Sequence, residues 1–163
     1  MARFIGEFEC KIDNKGRIIL PAKLRAQIPD TEAKAMVINR GFEKCLVLYT
    51  ETDWYHETNK LQVLNDFNRS ARKFIRQFNN GANMVSIDTS SRINIPNALI
   101  EYAGLKDELI ISCYNHKIEI WHKAHYEEEL KFDDKEFARI AEELMGNSNP
   151  NTQIGFDANG KDN

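Results

Sequence analysis

An aspartate and an arginine four residues apart, Asp13 and Arg17 in "IDNKGRIILP", return 75 positions on as Asp88 and Arg92 in "IDTSSRINIP". A carboxylate and a guanidinium astride a turn can do one of two things. They can close the turn as a surface ion pair worth under ~1 kcal/mol. Alternatively, the aspartate can orient an arginine whose planar fork of donors meets a phosphate or a guanine edge. One copy alone leaves the choice open. Two copies, each running into Ile-x-(Leu/Ile)-Pro, shift the weight toward an anion-binding face, with Lys15 at one turn tip and Arg3, Lys11, Lys23 and Arg25 nearby.

The elements that must position these groups are short strands. "GEFECKI" alternates Phe8, Cys10 and Ile12 with charged residues, the period of a half-buried strand. Asp13 suits the first position of a turn, and Gly16 suits the left-handed position that closes a three-residue hairpin loop. In the returning "RIIL", Ile18 and Leu20 face a core and Arg17 and Ile19 face out. The same parity in "RINI" buries Ile93 and Ile95 and presents Arg92 and Asn94.

Each hairpin leads into a helix headed by proline, "PAKLRAQI" and "PNALIEYAG", and then two more strands: "AMVIN" and "CLVLYT" in the first copy, "ELIISC" and "KIEIW" in the second. Leu24 matches Leu99, Leu46 matches Ile118, Leu48 matches Ile120 and Tyr49 matches Trp121, so the repeat is a whole β-β-α-β-β unit. We expect an α+β, β-rich fold. Its organisation is a first unit over residues 4–55, linking amphipathic helices over 56–81, a second unit over 82–126, a C-terminal helix over 127–145 and a disordered Asn- and Gly-rich tail over 146–163. Thr50 with Asp53 forms a capping pair for the first linking helix, on which Trp54, Leu61 and Leu64 recur at helical spacing. In the second, Phe67, Ala71, Phe74, Ile75 and Phe78 form an apolar stripe meant for a core or an interface, opposite Arg69, Arg72, Lys73 and Arg76. Phe137, Ile140, Ala141 and Leu144 do the same in the last helix.

The net charge of −3 hides an asymmetry: residues 1–99 carry 15 Lys/Arg against 11 Asp/Glu, and residues 100–163 carry 7 against 14. A basic front half suits a polyanion, and an acidic back half suits solubility or another subunit. The opening "MARFIGEFEC" lacks a signal-peptide apolar core and the longest aliphatic run is strand-sized, so a cytoplasmic protein without a membrane span is expected. Cys10, Cys45 and Cys113 read as separate buried thiols. His122 and His125 lack partners at metal-ligand spacing, so no metal or cofactor is expected. Neither a phosphate-cradling loop nor a triad pattern points to an enzyme or a small-molecule substrate.

"GEFECKIDNKGRIILPAKLR", "INRGFEKCLVLYTETDW", "FNNGANMVSIDTSSRINIP" and "IEIW" together resemble the MraZ family of bacterial transcriptional regulators, in order and spacing, from about Phe4 to Met145. The resemblance implies two AbrB-like swapped-hairpin units that form an intramolecular pseudo-dimeric β-barrel, flanked by helices and assembled into rings. It implies a nucleoid-associated DNA-binding repressor that recognises short repeated G-rich boxes before its own division and cell-wall gene cluster. Its motif residues fall on Asp13, Lys15, Gly16 and Arg17 and on Asp88 and Arg92, the aspartates orienting and the arginines touching DNA. "DTSSR" departs from the pattern with Ser90 and Ser91 where lysine and glycine are usual. Arg17 is therefore expected to read DNA while Arg92 mostly completes the fold. A reading from another class is a ring-forming scaffold acting through protein partners, suggested by the acidic C-terminal half and the outward Ile19.

Overall fold

The structure, a computed structural model, describes residues 1–146. The tail expected over 146–163 lies, apart from Gly146, outside the described residues. Met1–Glu129 form one compact unit and a second begins at Leu130.

The first repeat supplies β1 (Gly6–Lys11), β2 (Arg17–Ile19), α1 (Ala22–Arg25), α2 (Asp30–Ala33), β3 (Met36–Arg40) and β4 (Leu46–Thr50). Next come α3 (Glu51–Asn59), a 3-10 turn (Lys60–Val63) and α4 (Arg69–Phe78). The second repeat supplies β5 (Asn83–Val85), β6 (Arg92–Asn94), α5 (Asn97–Ala103), β7 (Glu108–Tyr114) and β8 (Lys117–His122), followed by α6 (Lys123–Glu129). The expected α+β, strand-rich fold is the one observed.

The strands form an antiparallel six-stranded sheet, β1-β7-β8-β4-β3-β5, and a two-stranded ribbon, β2-β6. The repeats interlock: β1 pairs with β7, β2 with β6, β3 with β5 and β4 with β8. The matched residues meet across the last of these pairs, Leu46 opposite Ile120 and Leu48 opposite Ile118, all fully buried. Ile12, just after β1, bridges to Ile18 of the ribbon, and the turns that lead into the ribbon are closed by the Asp13 N–H donating to the Arg17 carbonyl and the Asp88 N–H to the Arg92 carbonyl. Among the described residues no continuous ladder joins sheet and ribbon.

Between sheet and ribbon lies one core holding Ile18, Leu20 and Leu24 of the first repeat with Ile93, Ile95 and Leu99 of the second. Each such side chain contributes roughly 1.5–3 kcal/mol by leaving water, and because the layer is shared, neither repeat buries its face alone.

Three elements differ from the sequence pattern. The helix expected over "PAKLRAQI" is α-helical only at Ala22–Arg25, since Pro29 disfavours helical backbone at Ile28 and a second short helix starts after it. The helix after Thr50 ends at Asn59, so Leu61 and Leu64 fall on or after the 3-10 turn; its N-cap is as expected, Thr50 accepting from the Asp53 N–H. The expected stripe is only partly covered: Phe67 precedes α4 and is exposed, Phe74 is exposed, Ala71 and Ile75 are half-buried, and Phe78 stacks on Trp54 at 5.9 Å between ring centroids.

A polar tie also crosses the repeats. Glu57 of α3 meets His116 in the β7–β8 turn at 2.5 Å and Lys60 at 2.9 Å. In the second unit α7 (Asp134–Ala141) is capped by Asp133, and its Phe137 is exposed. Among the described residues, no helix is long and apolar enough to cross a membrane.

Candidate nucleic-acid interface

The Asp13 carboxylate organises its turn with both oxygens. Oδ1 accepts from the backbone N–H groups of Lys15 and Arg17, each at 2.9 Å, and Oδ2 accepts from Arg17 Nε at 2.9 Å. The Gly16 N–H donates back to the Asp13 carbonyl. The Arg17 amide, aided by the Arg17 guanidinium and the Lys15 amide, holds the Asp13 carboxyl below the usual carboxylate range.

The second copy repeats this bond for bond. Asp88 Oδ1 accepts from the N–H groups of Ser90 at 2.8 Å and Arg92 at 2.9 Å, Oδ2 accepts from Arg92 Nε at 2.9 Å, and the Ser91 N–H returns to the Asp88 carbonyl. The Asp88 carboxyl is lowered in the same way, first by the Arg92 amide. In sequence the two turns differ where Ser91 replaces the usual glycine, a position that favours positive φ. The structure answers that Ser91 takes the left-handed conformation itself, at φ 58°, against φ 78° for Gly16. The two arginines are therefore equally well oriented, and the geometry offers no ground for demoting Arg92.

Ribbon pairing brings them together. Arg17 lies opposite Asn94, Ile18 opposite Ile93 and Ile19 opposite Arg92. Ile18 and Ile93 are buried beneath, so by alternation Arg17, Ile19, Arg92 and Asn94 share the outer face. The arginines occupy diagonal positions, roughly 7–8 Å apart at the backbone. Each turn also clasps the opposite strand: the Ile95 N–H donates to the Gly16 carbonyl and the Leu20 N–H to the Ser91 carbonyl.

Among the other expected residues, Lys15 is exposed at its turn tip, and Arg3 and Lys23 are exposed as well. Arg25 is placed differently. Its guanidinium donates to the Ile28 carbonyl at 2.7 Å and to Asp30 at 2.6 Å, which employs it in fixing the chain between α1 and α2.

Sequence reasoning missed two features. A groove of 280 Å³ opens beside the sheet, lined by Arg40, Phe42, Tyr49, Phe74, Phe78 and Tyr102 among others, with Phe42 82% exposed; the partly covered α4 stripe was its one sequence signal. Cys45, Glu43 and Glu119 also converge, their ligating atoms all within 4.8 Å of one another. Burial and the two carboxylates push the Cys45 thiol well up. Far-apart positions gave no hint of this cluster.

Comparison with known proteins follows the repeat. The family model described as "MraZ protein, putative antitoxin-like" matches twice, over residues 3–77 and 78–153. The chain is 37% identical over 145 residues to the Transcriptional regulator MraZ of Cytophaga hutchinsonii, covering 89% of this chain and 96% of that protein. It is 38% identical over 148 residues to the protein of that name in Christiangramia forsetii, covering 90% and 96%. With the one in Flavobacterium psychrophilum it shares 35% over 150 residues, covering 91% and 96%.

Proposed function

The chain belongs to the MraZ family, and from that premise we propose that it is a sequence-specific DNA-binding transcriptional regulator whose arginine-bearing ribbon enters the major groove. The relatives are named as regulators, a non-enzymatic class. The observation that carries the reading is the common outward face of Arg17 and Arg92, each guanidinium held at Nε by an aspartate. Among the described residues no hydrogen bond engages their terminal amines, which leaves those donors for phosphate or for guanine O6 and N7. A two-stranded ribbon is a shape the major groove admits. The aspartates, which DNA repels, orient and do not touch.

In finer terms, the protein acts in the cytoplasm on the nucleoid, represses its own division and cell-wall gene cluster, and binds short repeated G-rich promoter boxes as a ring-shaped homo-oligomer. A ribbon makes few contacts, and a ring that presents several copies to spaced boxes raises effective concentration. Lys15, Arg3 and Lys23 supply phosphate contacts around the two arginines. The exposed aromatics of the groove and of α4 support contact between subunits.

The test is a gel shift on the DNA upstream of the coding region. Affinity should fall with salt at a slope of about −0.9 per phosphate neutralised, and Arg17→Ala should abolish specific binding. A retained footprint in that variant would sink the assignment. The exposed groove also suits a scaffold that meets protein partners, and a large assembly by light scattering that ignores the upstream DNA would favour that reading.

A further inference from the structure

The ribbon's outer face carries one apolar side chain. Ile19 is 62% exposed, directly opposite Arg92 and two residues beyond Arg17 on the same strand. Single exposed isoleucines are common and need no explanation; this one sits between the two arginines that the proposed function directs at base edges. Its β-branched side chain has few rotamers, so it offers a fixed methyl surface. The base-edge group that surface complements is the C5-methyl of thymine.

Register adds a second point. The antiparallel pairing has a local two-fold axis through Ile18 and Ile93, which exchanges Arg17 with Arg92 and Ile19 with Asn94. The arginines obey it, whereas the next pair breaks it with an apolar group on one strand and a carboxamide on the other. A carboxamide suits adenine N6 and N7. Building on the DNA-binding reading, we propose that Ile19 is a specificity-determining residue that packs on a thymine methyl, and that Ile19 with Asn94 makes the ribbon read a non-palindromic sequence in one orientation.

The experiment starts from duplexes that the full-length protein enriches out of a random library. Each thymine of the enriched site is replaced singly by uracil, which lacks only the methyl, and Kd is read by fluorescence anisotropy. One replacement should weaken binding about fourfold, the ~0.8 kcal/mol of a buried methyl group at 1.4 kcal/mol per tenfold. Ile19→Ala should bind thymine and uracil duplexes alike, while Ile19→Val keeps the difference. Absence of any uracil-sensitive position, or a penalty that persists in Ile19→Ala, overturns the contact. Asn94→Ile restores two-fold chemistry and should shift the enriched sequences toward two-fold symmetry; unchanged asymmetry overturns the orientation. Failure of the underlying reading looks different: no sequence is enriched, or Arg17→Ala binds as tightly as the parent.

Discussion

Replacing Ser91 with glycine and Gly16 with serine exchanges the residues that close the two turns, and the structure gives these exchanges opposite signs. Ser91 holds φ 58°, a conformation that costs an L-residue roughly 1–2 kcal/mol. Glycine removes that cost and forfeits about 0.5–1 kcal/mol in chain entropy. Ser91→Gly should therefore stabilise by about 0.5–1 kcal/mol. At Gly16, φ is 78°, and an added Cβ would lie 2.8 Å from Ile100 Cδ1 and 3.3 Å from the Ile95 carbonyl. The Ile100 methyl can shift, so overpacking adds the low end of its usual ~1–3 kcal/mol. Gly16→Ser should then destabilise by about 2 kcal/mol. Urea unfolding followed by circular dichroism, with unchanged m-values, reads both. At this size about 1 kcal/mol moves Tm by roughly 3 °C. A Ser91→Gly protein no more stable than its parent, or a neutral Gly16→Ser, would refute the claim that both turns hold one left-handed position that glycine takes freely and serine takes at a cost.

Arg92→Ala should weaken binding to the upstream DNA by as much as Arg17→Ala, since the two turns match bond for bond; a gel shift in which Arg92→Ala binds like the parent would restore the unequal reading. The folded-state carboxyls of Asp13 and Asp88 lie below their unfolded values. Their contribution to stability is present above the unfolded value and is lost as pH falls below about 4, through the folded one. Asp13→Asn with Asp88→Asn should therefore flatten the acid limb of a stability–pH curve. Burial lifts the Cys10 and Cys113 thiols to about 11 and raises Cys45 further. Alkylation by iodoacetamide at pH 8, followed by intact mass, should be slow until denaturant is added. Phe42→Asp with Phe74→Asp puts charge into the groove and should lower the assembly mass seen by light scattering.

Much of the local structure was legible because its causes are local. The alternation of "RIIL" and "RINI" placed Ile18, Leu20, Ile93 and Ile95 inside and both arginines outside, as observed. Thr50 announced its cap, and Gly104, left-handed at φ 60°, closed α5. Pro29 carried the signal that shortens α1, by disfavouring helical backbone at Ile28. On α4 the stripe showed amphipathicity, but a period cannot say whether the apolar face finds a partner within its own chain.

What the amino-acid order determined on its own is each turn: Asp13 and Arg17, or Asp88 and Arg92, are four residues apart, so their hydrogen bonds form with almost no loop to close. What only the tertiary structure decided is that β2 pairs with β6, setting Arg17, Arg92, Ile19 and Asn94 on one face. That pairing joins residues some 75 apart, and its register follows from burying Ile18 against Ile93 beneath the ribbon, a contact neither repeat can make by itself.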